Sequence, residues 1–295
     1  MRALVTGAAG FIGSHLVATL RERGWQTIGV DRRPGADVTG DIATLDLDPL
    51  VSGVDVVFHL AGRASARASW RTAFDDYLHD NVRATQRLLE AAHAARVGRV
   101  VLASSSSVYG DPRRLPTPED APLRPISPYG ATKLMAEGLA TAYGAQGLDV
   151  VALRYFTVYG PGQRPDMALQ RAIAAALGGG ELLVFGDGRQ SRDFTYVADA
   201  VAGTIAAAER GPAGEVYNLG GGERVTLADA LAQVRALCGG RLRTVPAAAH
   251  AADVRHTAAD TTRARRALGW EPGWTLAAGL AVQVAAERDA LGAAG

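Results

Sequence analysis

Three glycines at a spacing of three, Gly7-Ala8-Ala9-Gly10-Phe11-Ile12-Gly13, separate a short apolar run, Ala3-Leu4-Val5, from a stretch of helical periodicity, Phe11 to Arg23, that Gly24 ends. A strand, a glycine turn and a helix in this order restrict the chain to a βαβ unit. The glycines allow a tight turn and a close approach of backbone to ligand, and the helix N-terminus favours an anion. The expected ligand is the pyrophosphate of a dinucleotide. Asp31 ends the next β-rich run, Thr27 to Val30, 18 residues after Gly13. A carboxylate there accepts both adenosine ribose hydroxyls and repels a 2′-phosphate, which selects NAD. Arg32 and Arg33 follow it and supply the opposite reading, a 2′-phosphate site; Asp31 carries the greater weight.

The alternation continues. Val54 to Leu60, Val100 to Ala103 and Val150 to Leu153 read as buried strands, and Asn81 to Ala95 and Pro128 to Tyr143 as helices. Continuous apolar strands separated by helices predict an α/β fold, a Rossmann-type doubly wound parallel sheet covered on both faces. After about residue 160 strands become sparse, Gly178-Gly179-Gly180 punctuates, and short helices dominate, which reads as a smaller C-terminal substrate-binding lobe. The expected division is a dinucleotide-binding domain over 1–165, also receiving 194–219, and a substrate lobe over 166–295. The net charge of +1 carries no nucleic-acid footprint. No long apolar span or signal-type N-terminus is present, and Cys238 is the only cysteine. The expectation is a soluble cytoplasmic protein with no membrane or nucleic-acid partner. The histidines, His15, His59, His79, His93, His250 and His256, show no ligand spacing, so no metal is expected.

Lys133 is the only lysine; the other 30 basic residues are arginine. In a chain that uses arginine nearly everywhere, a lone lysine marks a place where a guanidinium will not serve. A compact ammonium donates to a ribose hydroxyl and lowers the pKa of a nearby phenol. Tyr129 lies one helical turn earlier in Ser127-Pro128-Tyr129-Gly130-Ala131-Thr132-Lys133, so the two share a helix face. Ser104-Ser105-Ser106-Ser107-Val108-Tyr109-Gly110 leaves a strand at its C-terminal end, the edge where such sheets bind ligands. A serine there shares a substrate hydroxyl with Tyr129, whose phenolate takes the proton while nicotinamide accepts hydride. Further cofactor candidates are Leu60-Ala61-Gly62 and Asp41-Ile42, where Asp41 reaches the adenine amine or merely caps a surface turn. Asn81 begins its helix, with its side chain inward or serving as an ordinary N-cap.

These motifs resemble the extended short-chain dehydrogenase/reductase family, and within it the NAD-dependent nucleotide-sugar epimerases/dehydratases, particularly the UDP-glucuronate 4-epimerases. The resemblance spans essentially the whole chain. It is carried by the Gly7 to Gly13 turn, His59-Leu60-Ala61, Ser104 to Gly110, Ser127 to Lys133, Leu153 to Pro161 and Arg192-Asp193-Phe194. It implies a mechanism in which bound NAD oxidises sugar C4, the 4-keto sugar turns, and hydride returns to its other face. It also implies roles: Ser105 as the motif serine, with Ser104 and Phe156 at the cofactor and Thr157 at the sugar. Arg192 would clamp the diphosphate with Arg255 as a second contact, and Val184 and Phe185 would line the uracil pocket. Core packing for Val184 and Phe185, and a solvated arginine for Arg255, are the plainer readings. A homodimer through the helices after Asn81 and Pro128 is implied as well.

The substrate is read from what is missing. Related dehydratases carry Asp-Glu after the motif Ser/Thr, and related decarboxylases a Glu just before Val-Tyr-Gly; here those positions are Ser106 and Ser107. Without an acid, both reactions lose their proton carrier, which favours epimerisation. Tyr159 to Met167 resembles the glucuronate epimerases, implying that Arg164 pairs with a C6 carboxylate. Arg67 adds a charge to the site or is a surface helix residue. UDP-glucose/galactose epimerisation is the second reading, other NDP-sugar chemistry the third, and a non-catalytic NAD sensor the remote one. Three departures from the family stand out: Arg63-Ala64-Ser65-Ala66-Arg67 lacks the usual lysine, His250-Ala251-Ala252 replaces Arg-Pro-Gly, and the chain is short between Asp31 and Gly53.

Overall fold

The computed structural model describes residues 1–249 and 253–293. Its first half runs β1 (Arg2–Thr6), α1 (Phe11–Glu22), β2 (Gln26–Asp31), β3 (Val38–Thr39), α2 (Asp48–Val51), β4 (Val56–His59) and α3 (Phe74–Tyr77). A π-helical turn, Leu78–Arg83, leads into α4 (Ala84–Ala94), then β5 (Arg99–Ser105), α5 (Pro128–Gly144) and β6 (Val150–Tyr155). The second half runs β7 (Thr157–Tyr159), α6 (Ala168–Gly178), β8 (Glu181–Phe185), β9 (Ser191–Tyr196), α7 (Val197–Arg210), β10 (Val216–Leu219), β11 (Arg224–Thr226), α8 (Leu227–Leu237), β12 (Arg243–Ala247), α9 (Thr262–Leu268) and α10 (Leu276–Ala293). Among the described residues no helix is long and apolar enough to cross a membrane.

Seven strands form one sheet in the order β10-β6-β5-β4-β1-β2-β3, every neighbour parallel. Along each central strand both faces are apolar, so alternation sorts side chains between two cores rather than between core and water. Ala3, Val5, Phe58, Val101 and Leu153 pack on one side with Leu16 and Leu20 of α1 and Val201 of α7. Leu4, Val57, Val100, Leu102 and Val150 pack on the other with Leu88 and Leu89 of α4 and Ala136 of α5. The doubly wound parallel sheet expected from the strand pattern is therefore present.

Beyond residue 160 the chain is richer in structure than its pattern suggests. Six strands follow β6, five of them in a three-stranded sheet, β11-β9-β7, and a two-stranded pair, β12-β8. The sixth, β10, joins the large sheet beside β6, with Val216 opposite Ala152. The helices are not all short: α7 has 14 residues and α10 has 18. The strands went unread because they are brief and polar: Ser191, Asp193 and Thr195 are buried within β9 without any apolar alternation.

The sheet order turns back on itself between β1 and β4, opening the crevice that doubly wound sheets use for ligands. A Cβ on Gly7, which has φ +72°, would stand 2.8 Å from the Ala61 nitrogen, so the turns after β1 and β4 meet as bare backbone. Within α1, a Cβ on Gly13 would fall 2.0 Å from the Gly7 carbonyl oxygen. Gly13→Ala must push α1 off the turn. We expect a loss of about 1–3 kcal/mol in urea unfolding from such overpacking, together with lower co-purified dinucleotide; an unchanged midpoint would contradict this account of the turn.

Candidate active site

A cavity of about 550 Å³ opens at the C-terminal ends of β1, β4, β5 and β6. Gly7, Gly10, Phe11, Ile12, Gly13, Leu60 and Gly62 line its dinucleotide side, with Ser104, Ser105, Tyr129, Lys133 and Phe156 at the centre. Ser106, Ser107, Thr157, Arg164, Arg67, Val184, Phe185 and Arg192 line the remainder. Residues far apart in the chain thus converge on one space. Asp31, Arg32, Asp41, Ile42, Ala61, Asn81 and Arg255 are not among its walls.

The reasons differ. Asp31 is buried at the end of β2 and accepts hydrogen bonds from the backbone nitrogens of Ala9 (3.1 Å) and Arg33 (2.9 Å), so it braces the glycine turn. Of the two arginines after it, Arg33 lines the cavity, whereas Arg32 turns away to Asp80 at 2.5 Å and Asp41 at 3.6 Å. Asp41 caps its own turn through the Ala43 nitrogen (2.9 Å) and faces His79 (2.9 Å), and Ile42 is core. Arg255 is exposed and faces Asp187 at 3.7 Å. Asn81 does not begin a helix; it lies inside the π-helical turn. Its fully buried side chain accepts from the Arg63 nitrogen (2.7 Å) and donates to the Arg63 carbonyl (2.9 Å) and the Thr132 hydroxyl (2.9 Å). It therefore fastens the loop after β4 to α5. Arg63 lines the cavity and donates to Asp80 at 2.9 Å.

Helix α5 starts cleanly. The Ser127 hydroxyl accepts from the Gly130 nitrogen at 3.1 Å and Pro128 occupies the first turn, which sets Tyr129 and Lys133 on the face toward β5. The Lys133 ammonium donates to the Ala103 carbonyl at 2.9 Å. Burial depresses its pKa to about 8, against the opposing pull of the Glu137 carboxylate. Burial raises the Tyr129 phenol above its ordinary value; the Ser105 hydroxyl and the Arg164 guanidinium oppose that rise. Arg164, in the cavity lining, is thus a positive charge that acts on the phenol. Ser105 caps the short 3₁₀ turn Ser106–Tyr109 by accepting from the Ser107 nitrogen at 3.1 Å. Ser104 spends its hydroxyl on Glu137, outside the cavity.

Arg164 rides on a loop pinned at both ends. Gln163 is buried, donating to the Val158 carbonyl (3.0 Å) and accepting from Gln283 of α10 (3.0 Å), while His15 of α1 donates to the Pro161 carbonyl (2.9 Å). Arg164 itself forks onto Asp166 at 2.9 and 2.8 Å. Arg67 is in a turn, not a helix; it stacks over the Phe185 ring at 4.0 Å and pairs with Asp253. Arg192 is half-buried, bonded to the Ser191 carbonyl at 2.9 Å, and burial lowers its pKa. Asp166, Asp253 and Tyr77 at Tyr129 went unselected in the sequence; Asp166, two residues after Arg164, was the one with a local signal. The segment His250-Ala251-Ala252 lies outside the described residues. His59 is structural: it sits between Thr6 (2.7 Å) and Thr85 (2.9 Å), and burial drives its pKa to about 3.

Residues 3–220 match the NAD dependent epimerase/dehydratase family. A UDP-glucuronate 4-epimerase of Thermodesulfobacterium geofontis is 37% identical over 305 residues, 94% of this chain and 93% of that one. An uncharacterised UDP-glucose epimerase of Bacillus subtilis, YtcB, is 39% identical over 308 residues, 97% of each chain. Among solved structures, MoeE5 in complex with UDP-glucuronic acid and NAD is 46% identical with a TM-score of 0.95, covering 98% of this chain and 100% of that one. The same protein in complex with UDP-glucose and NAD gives a TM-score of 0.94, covering 99% and 100%.

The lone lysine makes the site directly observable. Protein labelled with ¹³Cε-lysine should show one side-chain resonance, with a titration midpoint near 8 in place of the ordinary 10.5. A base whose folded pKa is depressed binds fewer protons when folded between those two values. Stability should therefore rise as pH increases from about 8 to about 10.5 and be at its lower plateau below that window. A midpoint at 10 or above would remove the buried-ammonium description.

Proposed function

The chain belongs to the NAD dependent epimerase/dehydratase family, and we propose that it inverts C4 of a UDP-sugar, taking UDP-glucuronate to UDP-galacturonate. One observation carries the choice of sugar: the Arg164 guanidinium stands in the same cavity as Tyr129 and acts on its phenol. A cation in the same cavity as the reacting group suits a carboxylate carried on the ring carbon next to C4. Ser106 and Ser107, which line the cavity beside it, offer hydroxyls and no acid for elimination.

NAD fits the residues present. Cβ atoms on Gly7, Gly10 or Gly62 would each meet polar atoms at 2.8 Å, so the cradle is open only as glycine, with Asp31 bracing its turn. Gly7 to Gly13, Asp31, Leu60 to Gly62, Lys133 and Phe156 would hold it. The chemistry that bound NAD supplies is reversible hydride uptake at the sugar carbon. The protein's share is proton handling and orientation. Tyr129, once ionised to the phenolate, takes the C4 hydroxyl proton and returns it, Ser105 shares that hydroxyl, and Lys133 holds a ribose. Arg192 clamps the diphosphate, and Val184 and Phe185 border the base, with Arg67 at its edge. In this reading residues 1–165 with 194–219 serve the dinucleotide and 166–295 the nucleotide sugar.

A second reading, UDP-glucose/galactose epimerisation, is favoured by Asp166, which already neutralises Arg164. Purified protein incubated with UDP-glucuronate, no NAD added, and followed by proton NMR separates the two. UDP-galacturonate is the expected product. Pentose would overturn the argument from the missing acid, and turnover of UDP-glucose alone would overturn the carboxylate reading. Arg164→Ala should lower kcat/KM for UDP-glucuronate by about 10²-fold or more, as loss of a buried charged hydrogen bond would. The effect on UDP-glucose should be far smaller; equal losses would exclude a carboxylate contact.

A further inference from the structure

Below the Tyr129/Lys133 face lies a buried charge that the proposed reaction does not use. Glu137 follows Lys133 by one turn of α5, so the two side chains are neighbours on one helix face. Both are turned toward β5: Lys133 donates to the Ala103 carbonyl, and the Ser104 hydroxyl donates to Glu137. Glu137 is 7% exposed and Arg154 of β6 is 4% exposed, so this is an ion pair without water. Its geometry is that of a fork, with Arg154 Nε and Nη2 reaching the two carboxylate oxygens at 3.0 and 2.8 Å. The remaining Arg154 nitrogen donates to the Tyr109 hydroxyl (2.8 Å) and the Glu119 carbonyl (2.8 Å), and the Tyr109 hydroxyl donates to Asn218 (2.7 Å). The carboxylate is thereby held in a fixed position by three hydrogen bonds.

We infer that Glu137 is a positioning residue for Lys133, a fixed negative charge one turn below the site that keeps the buried ammonium protonated and aimed at β5. Among the described residues, Glu137 is the carboxylate that acts on Lys133. Tyr129 on its own helix carries a neutral phenol, Asn81 from the π-helical turn is neutral, and β5 presents the Ala103 carbonyl with Ser104 and Ser105. His59 at the end of β4 feels the ammonium, and burial keeps its ring uncharged. Desolvation alone pushes Lys133 toward the neutral amine, and Glu137 opposes it. The pairing with Ser104 has a second effect: it removes one hydroxyl of the serine run from the cavity and leaves Ser105 to face Tyr129.

This rests on the reading that Lys133 serves the reaction, and the test separates the two. Because Lys133 is the only lysine, ¹³Cε-lysine NMR reports its titration without substrate. Glu137→Gln should lower the midpoint by about one pH unit or more, the usual size of a charge effect at short range in a buried site. Glu137→Asp should restore most of it. Turnover should fall away at high pH, and that alkaline limb should move down by the same amount in Glu137→Gln. A folded Glu137→Gln protein with its midpoint within about 0.3 units of the parent would overturn the inference, since removal of a nearby counter-charge cannot leave the pKa in place. Should the unpaired Arg154 prevent folding, the double variant Glu137→Gln/Arg154→Met decides by the same midpoint, with a fall in the same direction expected. A midpoint that falls while the pH profile stays fixed would uphold the Glu137 effect and overturn the role of Lys133.

Discussion

The contact on which the site depends is between two pieces of bare backbone. The sheet changes direction between β1 and β4, and the turns that follow those strands meet across the gap, with room for no side chain on Gly7. That approach brings the N-terminus of α1, the Leu60 to Gly62 segment and the start of α5 to one crevice. Gly62 shows how little freedom remains: a Cβ there would stand 2.8 Å from the Asn81 amide oxygen and 3.3 Å from the Lys133 ammonium. Asn81 in turn holds the Arg63 backbone and the Thr132 hydroxyl. A π-helical turn is the means of aiming it inward, since the extra residue rotates Asn81 relative to the regular helix that follows. The glycines, the irregular helix and the lysine are therefore one packed arrangement.

Much of this was legible in the sequence, and the boundary is physical. Features that depend on local backbone geometry were readable: the glycine turn, the one-turn separation of Tyr129 and Lys133, the apolar strands of the large sheet. Features that depend on which partner a long side chain selects were not. Arg32 and Arg33 are adjacent, yet one faces Asp80 and the other the cavity, because the π-helical turn carries Asp80 to the end of β2. Arg67 meets Phe185 and Asp253, residues more than a hundred positions away, with nothing near it in the chain to announce them. The short polar strands β7, β9 and β11 escaped for a related reason. Asp193 is buried in β9 because it accepts from the Gly221 nitrogen (2.5 Å) and the Ala259 nitrogen (2.8 Å), so what looks like loop chemistry is internal wiring.

The chemistry of the cavity follows from the same preference for arginine. Its guanidinium groups stand mostly beside a carboxylate of the chain: Arg63 with Asp80, Arg67 with Asp253, Arg164 with Asp166. An anionic ligand therefore meets cations that are already oriented and partly neutralised. It gains by exchange, and the gain is the difference between two ion pairs rather than the full value of one.

That difference bears on how an epimerase avoids losing its intermediate. A 4-keto uronate is a β-keto acid, prone to decarboxylation once its carboxylate is free to rotate. Asp166 is half-exposed and Arg164 is more enclosed, so on the proposed reading an incoming carboxylate would replace the more exposed member of the pair. On the same reading the exchange would leave what Tyr129 feels nearly unchanged. With Asp166 on the fork the charge of Arg164 is largely balanced; with a substrate carboxylate on it the balance is kept, and the phenol sees nearly the same field. A neutral CH₂OH leaves Asp166 in place and reaches the same electrostatic state by a different route. On the proposed reading, discrimination between a carboxylate and a neutral CH₂OH would fall to the strength of one Arg164 fork against another.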